Sequence, residues 1–162
     1  MENQFTTLRN YMERIAASYV PISHTTANPR FFENTTREIK DPAPGCIMYF
    51  SPPDFSFLEQ DGSNIIRTDA RITILRNFER ANFPEMHTAI RSTFNDAKEI
   101  LAKMKADRND PDGEYKCLLS AMDLDDVSLV VDNVFRDGWI GCTIRLNLRF
   151  DEFFEITPAQ WQ

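Results

Sequence analysis

Residues 139–150 have the sequence WIGCTIRLNLRF. Apolar residues occupy the even positions from Ile140 to Phe150, and Thr143, Arg145 and Asn147 lie between them. Successive side chains of a β-strand point to opposite faces, so this period of two predicts a long strand. One of its faces joins a core and the other meets water, as is usual in an antiparallel sheet.

Further strands are predicted on both sides of this stretch. Residues 66–75 alternate in the same way, whereas Cys46–Phe50 and Val127–Val134 are shorter runs of strand-forming residues. Asp137-Gly138 is typical of a two-residue hairpin turn. Residues 116–122 add a possible short strand. The chain therefore contains at least four strands.

Two amphipathic helices are predicted, over residues 3–19 and from Phe83 to about Lys105. Asn82 can cap the second helix, with Pro84 in its first turn and Glu85 completing a capping box. Apolar residues recur at spacings of three and four in both helices. The expected stripes are Phe5, Leu8, Met12, Ile15, Ala16 and Tyr19 in the first helix, and Phe83, Met86, Ile90, Phe94, Ala97, Leu101 and Met104 in the second.

These elements predict the fold class α+β, an antiparallel sheet of four or more strands with two amphipathic helices packed on one face. The 162 residues are enough for one domain, 1–162. Three parts of it are expected to lie outside the regular elements. Residues 21–45 form a Pro-rich irregular segment, residues 51–62 a protruding loop, and residues 151–162 an aromatic and acidic C-terminal tail.

The net charge of −7 and the pI of about 4.8 argue against a broad nucleic-acid surface, which needs clustered Lys and Arg. No apolar run approaches the ~20 residues of a membrane span. The first residues do not have the pattern of a secretory signal. We therefore expect no specific nucleic-acid binding, no membrane association and a cytoplasmic location.

The sequence offers no convincing catalytic group, so we expect that the protein is not an enzyme and has no cofactor. Cys46 and Cys142 lie in strand-like runs and are expected to be buried, and His24 and His87 have no reactive neighbour in sequence. The acidic segment 107–126 does not fit an EF-hand, because the ligand positions are wrong. The segment is therefore either a solvated loop or a weak cation site.

Aromatic residues in segments rich in turn formers or acids suggest a protein interface, because such side chains bury a large area at a low entropic cost. The alternative is packing over their own domain. The predicted interface residues are Phe55, Phe57 and Leu58 in the expected loop, and Phe153, Phe154 and Trp161 in the tail.

Four arginines lie on the expected wet faces of two strands, Arg67 and Arg71 in one and Arg145 and Arg149 in the other. If the two strands are neighbours, these residues form a basic strip, here called the arginine strip. It could pair with Asp69 or another acid across the strands, or bind an acidic partner.

The order of elements resembles the tail-terminator and tail-completion (head-tail joining) proteins of long-tailed bacteriophages. The similarity runs from about residue 3 to residue 150: a helix, a region with a long hairpin or loop, one long helix and a closing hairpin. It is strongest at the closing hairpin, residues 130–146. The Pro-rich segment 21–45 and the aromatic tail after Phe150 depart from the simplest members.

The resemblance implies a virion structural protein of a phage or prophage. Members of this family form a ring, usually hexameric, that ends polymerisation of the tail tube and docks to the head connector. It implies as partners other copies of this chain, the tail-tube protein and the head-connector protein. The location would be the host cytoplasm during assembly and the virion tail or neck afterwards. The alternative function is a monomeric adaptor that binds an acidic protein through the arginine strip.

Overall fold

The protein is described here from a computed structural model. It describes residues 4–19, 46–60, 63–79, 82–135 and 138–151. In parts of the strands only the backbone is described, notably in the distal half of the first hairpin. The predicted irregular segment 21–45 and the aromatic tail after Asp151 lie outside the described residues.

A four-stranded antiparallel sheet forms the centre of the described structure. Its strands are β1 (Cys46–Gln60), β2 (Ser63–Asn77), β3 (Ser128–Phe135) and β4 (Trp139–Asp151), in the spatial order β1-β2-β4-β3. Two hairpins, β1–β2 and β3–β4, therefore lie side by side and are joined by pairing of β2 with β4. This arrangement confirms the predicted α+β class.

In the described ranges three helices accompany the sheet: α1 (Gln4–Ser18), α2 (Phe83–Asn109) and α3 (Lys116–Ser120). The Asn82 side chain accepts a hydrogen bond from the backbone N–H of Glu85, as the capping pattern predicted. Within the described part of the chain, no helix combines the length and the apolar character that crossing a membrane requires.

The main core lies between the helices and one face of the sheet, called here the inner face. The inner-face residues Ile72, Ile74, Cys142 and Ile144 are fully buried, as the alternating pattern predicted. They pack with buried residues of α1, α2 and α3 in one cluster. The helical members are Leu8, Tyr11, Met12, Ile15, Ala16, Ala97, Ile100, Met104, Leu118 and Leu119.

The buried side of α2 differs from the predicted stripe. Phe83 and Phe94 are 67% and 38% exposed, so their prediction as core residues is wrong. The buried residues of α2 are instead Ala89, Thr93, Asp96, Ala97, Ile100 and Met104. Small side chains on this side let the helix lie close to the sheet. Asp96 forms an ion pair with Arg76 of β2. Large aromatic side chains face away from this packing.

The predicted loop over residues 51–62 is also wrong for most of its length, because β1 continues to Gln60. The register shifts between Ser51 and Asp54, where Pro52 and Pro53 lie, and pairing with β2 then resumes. Proline cannot donate a backbone hydrogen bond, so it is tolerated at a bulge or in an edge strand. In the described sheet β1 is an edge strand and contains a bulge at these prolines.

Two smaller predictions concern the segments around the closing hairpin. Residues 116–120 form the helix α3 rather than the short strand predicted there. Its Leu118 and Leu119 are buried as neighbours on one side of a helical turn, whereas a strand would send them to opposite faces. The second prediction is the hairpin turn at Asp137-Gly138. Gly138 has a φ of 83°, a conformation that favours glycine.

Candidate functional site

The arginine strip is formed by direct cross-strand neighbours. Arg67 of β2 lies opposite Arg149 of β4, and Arg71 lies opposite Arg145. All four residues are exposed on the face of the sheet away from the helices, called here the outer face. The two strands are therefore neighbours, which is the condition on which the strip depends. Like charges directly opposite each other in a sheet are unfavourable, and one residue pair separates the two arginine pairs along this face.

One acid lies within the strip. Asp69 and Asn147 face each other between the two arginine pairs, and both are exposed. Arg71 and Arg149 also make interactions within the chain. The strip therefore combines four guanidinium groups with the Asp69 carboxylate, on a chain with a net charge of −7.

A shallow cleft of about 320 Å³ opens at the end of the strip nearest β3. Its walls carry Asp69, Arg71, Arg145 and Asn147 on one side and the first residues of the β3 region, Asp126 and Ser128, on the other. Guanidinium groups in such a cleft can bind a carboxylate with two parallel hydrogen bonds. The open, polar shape suits a charged side chain of another protein better than an apolar small molecule.

The outer face becomes apolar beyond the strip. Thr73 and Thr143 lie opposite each other, are buried and share a hydrogen bond of 2.9 Å between their hydroxyl groups. Past them, Ile47, Tyr49, Leu75 and Trp139 form a second buried cluster. Among the described side chains of this face, those at the strip end are therefore the ones exposed to a charged partner.

Gly141 makes this second cluster possible. It lies opposite Leu75, and a Cβ atom at Gly141 would lie 2.5 Å from the Leu75 Cδ2 atom. It would also approach the backbone oxygen of Ile74 to 3.0 Å. The absence of a side chain at this position therefore lets Leu75 lie flat across β4.

A buried polar cluster joins α1, α2 and the beginning of the sheet. The Asp96 carboxylate accepts hydrogen bonds from the Arg76 Nε atom and the Tyr19 hydroxyl, both at 2.8 Å. The Cys46 thiol lies 3.7 Å from the same carboxylate. Burial, followed by the hydrogen bond to Asp96, raises the pKa of Tyr19 above its ordinary value. Asp96 and Cys46 are buried and Arg76 and Tyr19 are half-buried, and these mutual contacts indicate a role in stability.

The cysteine and histidine residues do not form a nucleophile–base pair where the structure describes them. Burial and the adjacent Asp96 raise the pKa of the Cys46 thiol to about 12, so almost no thiolate exists at neutral pH. Cys142 is buried on the inner face and His87 is exposed on α2. The predicted burial of both cysteines is confirmed, whereas His24 lies outside the described residues.

The acidic segment is partly neutralised by basic neighbours. Asp107 contacts Lys103 and the Tyr11 hydroxyl, and Asp125 lies 3.2 Å from Arg108. The hydrogen bond from Arg108 lowers the pKa of Asp125. Among the described residues, no group of three or more acidic, histidine or cysteine side chains is arranged to hold a metal ion.

We expect the protein to lose stability above pH 9 because of the Cys46 environment. The folded state keeps this proton up to a pKa of about 12, whereas the unfolded state releases it from 9.0. The unfolded state binds fewer protons in that window, so the free energy of unfolding falls as the pH rises. Between pH 8 and pH 10 the wild type should lose about 1 kcal/mol more than C46A in urea titrations. C117A, which changes an exposed thiol, should follow the wild type, and equal slopes for all three would contradict the assignment.

The predicted aromatic interface is only partly within the described structure. Phe55, Phe57 and Leu58 belong to β1, where they pair in register with Thr68, Ile66 and Ile65, and their backbone is described. Phe153, Phe154 and Trp161 lie outside the described residues. Their role as interface residues stays a prediction.

Several residues of the site were not singled out in the sequence. Asn147 shares the alternation of Arg145 and Arg149, so its outward position was predictable, but its pairing with Asp69 depends on the register. Ser128 enters the cleft because it lies opposite Arg145. No local pattern indicates which residue of β3 takes that position.

Comparison with protein-family models and with curated proteins finds no match to this chain. The family resemblance of the element order therefore stays a prediction.

Proposed function

We propose that the protein is a non-enzymatic structural subunit of a phage or prophage tail or neck, forming a ring of the tail-terminator kind. The observation that supports this best is the order of elements: α1, the long hairpin β1–β2, the long helix α2 and the closing hairpin β3–β4. This is the order on which the resemblance to the family rests. In this role the subunit ends tail-tube polymerisation and contacts the head connector.

The proposal also fits the chemistry of the described residues. The Cys46 thiol stays protonated at neutral pH, and Asp96 is occupied by Arg76 and Tyr19. The polar side chains that line the open cleft on the sheet are Asp69, Arg71, Asp126, Ser128, Arg145 and Asn147. Such a surface suits contact with another protein chain.

The oligomeric state tests this proposal directly. We expect size-exclusion chromatography with light scattering to give a closed oligomer, and native mass spectrometry to give a single stoichiometry. Each copy in a ring uses two different surfaces, and a closed ring leaves neither of them free, so the mass should stop increasing at high concentration. A chain that stays monomeric at every concentration, alone and with a tail-tube protein, would contradict the proposal. The genes beside this one offer an independent check, since tail-tube, tape-measure or portal genes should be among them.

A second candidate function is a monomeric adaptor that binds an acidic protein. The observation that favours it is the direct opposition of arginines in the strip. The wild type should then be a monomer that binds a poly-glutamate peptide, and the affinity should fall steeply with salt. R71E/R145E should abolish this binding. R91E/K98E, which reverses two exposed charges on α2, should retain it.

A further inference from the structure

We infer that the aromatic tail of one copy, residues 152–162, docks on a neighbouring copy at the open flank, which is defined here by Val131 of β3 and by Phe83, Ile90 and Phe94 of α2. This inference rests on the proposed ring function and names two surfaces that would meet in the ring. The open flank supplies exposed apolar side chains with a basic border, and the tail supplies aromatic and acidic side chains.

The open flank contains the large hydrophobic side chains that are exposed in the described part of the chain. Phe83 is 67% exposed, Phe94 38% and Val131 37%. Val131 lies opposite Cys142, which is fully buried on the inner face. The apolar inner face therefore continues onto β3, where it is no longer fully covered. Exposed apolar side chains that cluster on one side of a molecule indicate an interaction surface.

The strand order places these side chains of α2 on the side of β3. The Asp96 carboxylate lies 3.7 Å from the Cys46 thiol, so its side of the helix faces β1. Phe94 precedes Asp96 by two residues, about half a helical turn, and therefore lies on the opposite flank. Phe83 and Ile90 share that flank, at helical spacings of seven and four. In the order β1-β2-β4-β3, the direction away from β1 is the direction of β3.

The two parts of the open flank also lie at a similar level along the strands. The ion pair between Arg76 and Asp96 holds α2 at the level of Ile140, the residue of β4 opposite Arg76. Val131 pairs with β4 two residues further along, and α2 contacts β3. Phe94, less than one turn from Asp96, is therefore beside Val131 on a neighbouring element. In the described sheet no strand lies beyond β3, so this side is open.

The border of the open flank is basic. Arg91 and Lys98 are exposed, and none of the residues three or four positions away from them on α2 is acidic. Neither forms an ion pair with a described residue, and the Lys98 Nζ atom lies 6.0 Å from the centre of the Phe94 ring. The next residue, Glu99, lies toward α1, where it lines a cleft with Tyr19. An acidic group can therefore pair with these two cations without displacing an existing partner.

The aromatic tail has the complementary composition. It begins with Glu152-Phe153-Phe154-Glu155-Ile156, and residues 151–162 contain three acids and no basic residue. Its aromatic side chains can cover the exposed apolar groups while its carboxylates meet the basic border. Because one sequence carries both the surface and its complement, a second copy is favoured over an unrelated partner.

The tail on the open flank must come from another copy. Asp151, where β4 ends, is nine residues along β4 from the partner of Val131, a distance of about 30 Å. Phe154 is three residues beyond Asp151 and can extend at most about 11 Å from it. Phe153 and Phe154 of the same chain therefore cannot reach the open flank. The contact joins unlike surfaces of two copies, so it can repeat around a ring.

A charge-swap experiment on the full chain tests the inference. R91E/K98E and E152K/E155K should each associate at least about tenfold more weakly than the wild type in light-scattering measurements. The four substitutions in one chain should restore association, because the tail and the border again carry opposite charges. E152K/E155K combined with R67E/R145E, which changes exposed residues of the outer face, has the same net charge and should not restore it.

The apolar part of the contact has a separate test. F94Q/V131T should also weaken association at least about tenfold. Both side chains are more than a third exposed, so its urea midpoint should stay near that of the wild type. A labelled peptide of residues 151–162 should bind F153S/F154S, whose flank is intact. It should not bind the variant that combines F153S/F154S with F94Q/V131T.

Other results would overturn the inference. If F153S/F154S and F94Q/V131T keep the wild-type mass, the ring proposal stands and this contact is wrong. The contact is equally wrong if the four-residue charge swap stays dissociated, or if the peptide binds the altered flank as well as the intact one. If F94Q/V131T loses the oligomer but F153S/F154S keeps it, the flank meets another surface instead of the tail. A wild type that is always monomeric contradicts the proposed function itself, and the inference falls with it.

Discussion

Replacing Asp96 by alanine is expected to lower the free energy of unfolding by about 3 kcal/mol. The carboxylate is 8% exposed and accepts hydrogen bonds from Arg76 of β2 and Tyr19, next to the end of α1. Removing it leaves the guanidinium group of Arg76, which is only 28% exposed, without its counter-charge. Urea titration followed by circular dichroism measures the loss. D112A, an exposed aspartate variant, should change stability by less than about 0.5 kcal/mol.

A double-mutant cycle then separates the ion pair from other effects of the substitution. D96A, R76A and the double variant should give a coupling energy of at least about 1 kcal/mol, because the two groups are in direct contact. A coupling near zero would show that Asp96 does not act through Arg76, whatever the size of the single effects.

The second large effect is expected for Phe50→Ala, which should cost about 3–5 kcal/mol. Phe50 is 1% exposed on the inner face, opposite Ile72, and its removal leaves a cavity among side chains from strands and helices. F83A is the matched control, because Phe83 is 67% exposed and should cost less than about 0.5 kcal/mol. Equal losses for the two variants in urea titrations would contradict the assignment of the inner core.

The strands and the class of fold were predictable because local patterns carry them. The alternation at 139–150 and 66–75 showed which residues of β2 and β4 belong to the inner core, but not that Thr73, Leu75 and Thr143 of the outer face are buried too. The Asn82 cap was equally local. Such features depend on neighbours one to four residues away, which is the range over which sequence periodicity reports.

The errors arise where tertiary contacts override local pattern. The spacing of Phe83 and Phe94 matched a helical stripe, yet the helix turns Asp96 inward, because Arg76 and Tyr19 from other elements meet it there. Pro52-Pro53 suggested the end of a strand, but an edge position with a bulge accommodates both residues. Neither the ion-pair partner nor the edge position can be read from neighbouring residues.

Only part of the candidate site was predictable, because local patterns again report the face of a strand but not its partner. Alternation placed the four arginines on one face of their strands, but only the register shows Arg67 opposite Arg149 and Arg71 opposite Arg145. A shift of one residue would have moved these side chains to the other face. The acids and amides of the cleft depend further on how β3 meets β4.

The pairing of β2 with β4, which joins the two hairpins, has a consequence for how the protein folds. Each hairpin pairs residues that are close along the chain, so each can form early. Pairing of β2 with β4 must wait until α2, α3 and β3 have been synthesised, because they lie between those strands in the sequence. Closing such a long-range contact is slow, since the entropy of the intervening chain is lost before the contact is gained. Until then the open edges of β2 and β4 can pair with those of other nascent chains, and aggregation should compete most strongly with folding at this step.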